Sequence, residues 1–360
     1  MKKTLTKILS LMLALLMLVL FTACAADNTN TPAAPNSNTP SGTDGTTAAK
    51  ATVAIDMTKE WETLNGANTL VQGCLVVNTA WAAEHPNELA KFLADYSASV
   101  EFIKTGSDDA INTIVNAGIL PKAAIAKKAL PNCNICYIAG NDMKPVMNTF
   151  SEKIFAYNKT SIGGKLPTDS FYYTASGDAS AANKDTEIKI YALNGTTALG
   201  MAKVIEDSKV GNAGMNYNIE LHASAEGITG AIVKGECAIA ALPTNVAVKL
   251  FNASNGKLQL LALNTLGVLY LLQNEDQGIK TLADLKGKTI YLPGAGSNPE
   301  YITAALLTAA GLEVGKDVIL DTTTYNSPDA LATAFAAGLA PLAVLPEPKV
   351  TVALNTANAG

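Results

Sequence analysis

The 360-residue chain contains no arginine; all 26 of its basic residues are lysine. This excludes the planar, bidentate clamp with which arginine holds a carboxylate, sulfonate or phosphate. Any anionic ligand would have to be held by lysine, hydroxyls, amides or helix N-termini. Only two histidines occur, His85 and His222, far apart in sequence. His85 precedes Pro86 at a helix start and His222 ends an apolar strand, so both read as structural. There is no Ser/His/Asp order, no HExxH and no paired Cys/His spacing. Catalytic residues, a metal and a cofactor are therefore not expected. Aromatic residues make up 6% of the chain, too few for an extended aromatic-lined site. The net charge of −5 gives no electrostatic reason to bind nucleic acid. After residue 23 no apolar run is long enough to cross a bilayer.

The strongest positive signal lies at the start. Lys2, Lys3 and Lys7 precede an apolar run over 8–20, and Phe21-Thr22-Ala23-Cys24 closes it with small residues. This is the layout of a secretory signal, expected over 1–23. A cysteine just after the cleavage point resembles the lipobox of bacterial lipoproteins, in which Cys24 would receive lipid and become the mature N-terminus. The chain is then expected to be exported and lipid-anchored on the outer face of the bacterial cytoplasmic membrane. Residues 24–50 are mostly Asn, Thr, Pro, Ser, Ala and Gly, a composition that cannot bury enough surface to fold and reads as a tether. A second segment of the same kind lies at 174–185. Cys74, Cys133, Cys136 and Cys237 are the remaining cysteines. Cys133 and Cys136 form a lone CxxC that does not sit between a strand and a helix, so ordinary cysteines are expected. Whether the two are joined stays open.

From residue 187 onward strands and helices alternate. Strands are expected at 187–193, 217–222, 237–242, 259–264, 268–273, 289–292, 317–320 and 342–345. Helices are expected at 196–208, 225–236, from Pro243, at 297–310, 328–337 and from Pro346. Repeated βαβ units imply mainly parallel sheets. Ahead of residue 174 only 52–55 and 70–77 read as strands, with an extended look at 136–138. Helices are expected at 86–103, 107–117, 122–130 and 143–157. Ser107 with Asp108 and Asp109 is a helix start, and Gly118 a stop. This part looks like an accessory layer for the βαβ half.

These pieces together resemble a family. They are Ile279–Ile290 (IKTLADLKGKTI), Gly294-Ala295-Gly296-Ser297, Ala343-Val344-Leu345-Pro346-Glu347-Pro348, Trp61-Glu62, Gln72–Val77 (QGCLVV) and Glu84-His85-Pro86-Asn87-Glu88. They resemble the two-lobed solute-binding proteins of ABC importers, in the nitrate/sulfonate/taurine and thiamine-precursor branch. The resemblance implies an α/β type II periplasmic-binding-protein fold and a monomer that takes a small-molecule ligand into an interlobe cleft and passes it to an ABC permease. Sulfonate, nitrate-like anion, amine and pyrimidine all stay open as ligand classes. The order of segments differs from the family's: the portion 51–173, which would normally close the chain, comes first. The expectation is a circular permutation, with 174–186 joining the usual termini. Lobe I is then 63–173 with 187–273, and lobe II is 274–360 with 51–62. A dozen residues span roughly 40 Å when extended, enough for such a join. The permuted fold is expected to survive with reduced stability.

Within that cleft, strand ends and helix starts supply the candidate ligand-binding residues. They are Asn194, Thr196 and Thr197; Thr244 and Asn245; Thr265 and Gly267; Gly296, Ser297 and Asn298; Glu347; and Gln72. Hydroxyls and N–H groups at 194–197 could hold an anion, or simply cap a helix. Tyr270, Tyr291 and Tyr301 could form aromatic walls, with packing the commoner role. Two other classes compete with solute capture. Thiamine-pyrimidine synthases share the fold, but their cysteine-rich metal motif is missing here. The other class is a lipid-anchored sensor or interaction protein, or a permutant that folds without supporting transport.

Overall fold

The computed structural model describes residues 50–359; the expected leader, Cys24 and the tether up to residue 49 lie outside them. Eleven strands form two sheets. In chain order they are β1 (Ala51–Asp56), β2 (Gly73–Asn78), β3 (Ile135–Ala139), β4 (Glu187–Leu193), β5 (Asn216–His222), β6 (Ile239–Pro243), β7 (Leu258–Thr265), β8 (Leu269–Asn274), β9 (Thr289–Tyr291), β10 (Ile319–Asp321) and β11 (Leu342–Pro346). The six-stranded sheet runs β3-β7-β2-β6-β4-β5 and the five-stranded sheet β1-β8-β11-β9-β10. The expected two-lobed α/β fold is present.

Three expectations need correction. The sheets are mixed rather than mainly parallel: β4 pairs with β5 and β6, and β9 with β10 and β11, in parallel. All pairings of β1, β2, β3, β7 and β8 are antiparallel. The parallel set arises where a helix carries the chain back over the sheet; in the six-stranded sheet β2 and β3 run against the other strands, and in the five-stranded sheet β8 alone is reversed. Strand β8, assigned from sequence to the first lobe, belongs to the five-stranded sheet. The early segment is no accessory layer either, because β2 lies inside the six-stranded sheet between β7 and β6. All six β2 residues are buried, which is why GCLVVN shows no polar alternation.

Three apolar clusters separate the layers. Leu75 and Val77 of β2 point into one, with Leu89, Phe92, Ile114, Ile188 and Ile190. Cys74 and Val76, on the opposite face, join a middle cluster with Leu269, Leu271, Ile290 and Val344 of the five-stranded sheet. Leu272, Ala343 and Leu345 turn away into a third, against Leu331 and Phe335. The two-residue period of the strands thus assigns alternate side chains to different cores. Helix Pro86–Lys104 buries Leu89, Phe92, Leu93, Tyr96, Val100 and Ile103, one stripe at helical spacing. Helix Asp108–Ala117 starts and stops as expected: Ser107 accepts from the Ala110 N–H, and Gly118 is left-handed at φ 86°.

The segment 174–186 is docked rather than free. It contains a short turn at Ala179–Ala181. The Asp178 N–H donates to Asn87 Oδ1 at 2.8 Å, and the Asn183 N–H to Glu88 Oε1 at 3.0 Å. Gly177 runs so close to the start of helix Pro86–Lys104 that a Cβ there would stand 1.9 Å from the Pro86 carbonyl oxygen. Low apolar content predicted a tether; side-chain acceptors on a neighbouring helix hold the backbone instead.

Two segments link the lobes: 66–72, leading into β2, and Leu266–Val268, between β7 and β8. They lie side by side. The Gln72 N–H donates to the Thr265 carbonyl at 2.9 Å, and Gln72 Oε1 accepts from the Val268 N–H at 2.6 Å. Gly267 is required here by space: a Cβ would sit 2.3 Å from Thr58 Cγ2.

Candidate functional site

A cavity of about 320 Å³ lies between the lobes. Ten of the twelve candidate residues line it. Gln72, Asn194, Thr196, Thr197, Asn245 and Thr265 come from the six-stranded lobe, and Gly296, Ser297, Asn298 and Glu347 from the five-stranded one. Thr244 and Gly267 do not line it. The Thr244 hydroxyl is buried and donates to the Val71 carbonyl at 2.6 Å. Gly267 turns its carbonyl to Asn134 Nδ2, so its place is in the interlobe crossing.

The local folding of each element explains the convergence. Strands β4, β6, β7 and β11 all end at the cleft, and the helices after β4 and β6 begin there. Helix Asn298–Ala309 starts at the same place from the other lobe. Across the gap the lobes bond directly. Thr196 Oγ1 donates to the Glu347 carbonyl at 3.2 Å, Asn245 Nδ2 to the Gly296 carbonyl at 3.4 Å, and Asn298 Nδ2 to the Gln72 carbonyl at 3.3 Å.

Glu347 is 2% exposed. Burial pushes its carboxyl up to about 7, opposed by hydrogen bonds from the Thr351 N–H and hydroxyl and from Asn132. The carboxylate therefore holds the start of helix Lys349–Ala357, the capping role considered alongside ligand binding, while its residue also lines the cavity. Beside it Lys349 pairs with Asp329.

Among the described residues no aromatic ring lines the cavity. Tyr291 packs edge-on against Tyr325 at 5.6 Å, and Trp61 is 1% exposed beside Phe150. Neither histidine and none of the described cysteines lines it. Cys74, Cys133, Cys136 and Cys237 are free thiols, so Cys133 and Cys136 are not joined. Burial raises all four, Cys136 and Cys237 to about 12, which leaves them protonated and unreactive.

Sequence reasoning placed Pro243 at the cleft but missed most of the apolar wall: Leu193, Val246, Val268 and the five other prolines, Pro293, Pro299, Pro328, Pro346 and Pro348. It also missed Asp329 and Lys349. Prolines at the first positions of helices Asn298–Ala309 and Pro328–Ala336 were the available signal, since helix starts face the cleft.

Residues 258–344 match the family model described as NMT1/THI5 like. Comparison with curated proteins found no match. Among solved structures, the alkanesulfonate-binding protein SsuA from Xanthomonas axonopodis pv. citri, bound to MOPS, is 18% identical with a TM-score of 0.33. That match covers 49% of this chain and 60% of the SsuA chain. The periplasmic aliphatic sulphonate binding protein SsuA from Escherichia coli is 18% identical with a TM-score of 0.34, covering 47% of this chain and 56% of that one. This chain thus spans less than two thirds of either.

Proposed function

We propose that this chain is an extracytoplasmic solute-binding lipoprotein that captures a small molecule between its lobes and hands it to an ABC permease. The observation that carries the reading is the interlobe cavity, into which strand ends from both sheets deliver Gln72, Asn194, Thr196, Thr197, Asn245, Thr265, Gly296, Ser297, Asn298 and Glu347. The paired crossings at Gln72 and Val268 supply a narrow hinge on which such lobes can close. The reading is one of binding, not catalysis; among the described residues the cavity wall offers no nucleophile paired with a base. Native mass spectrometry of the full chain purified from producing cells tests it. A retained small molecule is the expected result. A bare protein that stays bare with sulfonates, anions, amines and pyrimidines overturns it.

Lipid attachment at Cys24 belongs to the same proposal. A Cys24→Ala variant should leave the membrane fraction, and a diacylglyceryl mass should be found only on the parent chain. So does the permuted order. It is supported by β1, β2 and β3, which enter sheets whose other strands all follow residue 186. A gene rearranged to begin at residue 187, with 358 joined to 51, should give the same ligand response with higher stability. Loss of ligand response would count against the permutation.

A further inference from the structure

Resting on the hinge motion proposed for capture, we infer that the lobes close over Glu347 with the uptake of a proton, so that mild acid favours the closed form and mild alkali the open one, whatever molecule is captured.

Both lobes enclose this one carboxyl group. Glu347 directly follows β11 of the five-stranded sheet and is almost fully buried. Its own lobe supplies two donors, the Thr351 N–H at 3.1 Å and the Thr351 hydroxyl at 2.9 Å. The six-stranded lobe supplies the rest of the enclosure. Asn132 donates to the carboxyl, and the buried Cys133 thiol stands near it. Both adjoin Leu130, whose side chain belongs to the core of that lobe. Thr196, from the same lobe, donates to the Glu347 carbonyl at 3.2 Å. One helical turn beyond Thr351, Asn355 Oδ1 accepts from Lys128 Nζ at 2.9 Å, again across the lobes. The carboxyl therefore lies in a seam that exists only while the lobes are together.

Among the described residues no cation offsets a negative charge in that seam. Lys349, on the helix that Glu347 caps, pairs with Asp329, and Lys128 is taken by Asn355. The other titratable groups facing it are the Cys133 thiol and the Tyr270 phenol of β8, the latter also near Asp56. Burial raises both, so they stay neutral and add no positive charge. The histidines pack elsewhere, His85 on Trp81 and His222 on Tyr191. A buried carboxylate without a cation is unfavourable. Burial outweighs the hydrogen bonds that favour the charged form, and the closed seam holds the group up at about 7. Parting the lobes removes Asn132 and Cys133 and admits water, which returns the carboxyl toward its ordinary 4.5. Between those values the closed form binds the extra proton. Raising the pH through that window therefore drains the closed form, and the balance is flat on either side of it.

Double electron–electron resonance on the full chain, with no ligand added, tests this. Spin labels go on Glu226→Cys and Asn326→Cys, exposed positions beside Ala225 and Pro328 on opposite walls of the cavity. The ratio of short to long distances should fall at least about tenfold between pH 5 and pH 8. Glu347→Gln, which imitates the protonated acid, should keep the short distance at both. Thr351→Val removes a donor that favours the carboxylate, so its transition should move to higher pH, which lost packing alone would not produce. If Glu347→Gln does not fold, Thr351→Val decides. A pH response equal in the parent and in Glu347→Gln overturns the inference and leaves the hinge motion standing. So does a mixture of both distances in a ratio that pH does not change. A single distance at every pH also overturns it, and a small molecule retained in native mass spectrometry would still uphold capture.

Discussion

The two lobes close on themselves in different ways. In the six-stranded lobe, strands from before and after residue 174 are joined covalently by a segment laid along helix Pro86–Lys104 and held by Asn87 and Glu88. In the five-stranded lobe the corresponding join is non-covalent. Strand β1 lies antiparallel on β8, and Asn358 reaches back to grip Ala51 twice, accepting from its N–H and donating to its carbonyl, both at 2.9 Å. A covalent join keeps its two strands near each other even in the unfolded chain. A strand held only by pairing must be found again each time the protein folds, across about 220 positions to β8 and 307 to Asn358. The five-stranded lobe should therefore be the weaker half.

The sharpest way to break that contrast is at β1. Ile55 is 4% exposed in the middle cluster, and Ile55→Ala should cost about 2–5 kcal/mol. A urea melt should show the loss; a change under about 1 kcal/mol would mean that β1 is dispensable.

Glu347 tests the same lobe through pH. Its carboxyl rises from the ordinary 4.5 to about 7 because it is buried. Between those values the native group holds a proton that the unfolded one has released, so stability falls as pH rises through that window and levels off above it. The drop is on the order of 3 kcal/mol. Glu347→Gln should remove it, matching the parent near pH 4.5 and exceeding it at pH 8. Equal urea midpoints for the two proteins at pH 8 would assign the effect elsewhere.

Smaller effects probe the joins themselves. Gly177→Val should lift the docked segment off Pro86 at about 1–3 kcal/mol while leaving ligand affinity unchanged, since the segment lies away from the cleft. Faster proteolysis within 174–186 is the readout, and unchanged cleavage would show that the docking is not what protects it. Asn358→Ala should cost about 1 kcal/mol, read as faster hydrogen exchange at Ala51. Exchange at the parent rate would show that β1 pairing holds the end without the clasp.

The elements that sequence revealed are those whose local pattern agrees with their place in the fold. The strand–helix alternation after residue 187, the Ser107 cap and the Gly118 stop are of this kind, and the cleft residues followed from helix starts at strand ends. What stayed hidden depends on partners distant in sequence. Nothing local in Thr174–Asp185 announces that Asn87 and Glu88 will bind it. Helices Met57–Asn65 and Thr79–Glu84 are short and packed from outside, and periodicity did not find them. The sheet to which β8 belongs was hidden because both sheets flank the crossing at Gly267.

The six prolines of the cavity wall have a bearing on what happens when a ligand does not quite fit. Each proline has a locked φ torsion and no N–H to lend. Such a wall has little slack, so it does not remould around an oversized guest. If the cavity captures a ligand as proposed, the misfit would pass instead to the two strands of chain at Gln72 and Val268, as a change in the angle between the lobes. Ligand size would then be read out as a geometry of the whole molecule, visible to anything that touches both lobes at once.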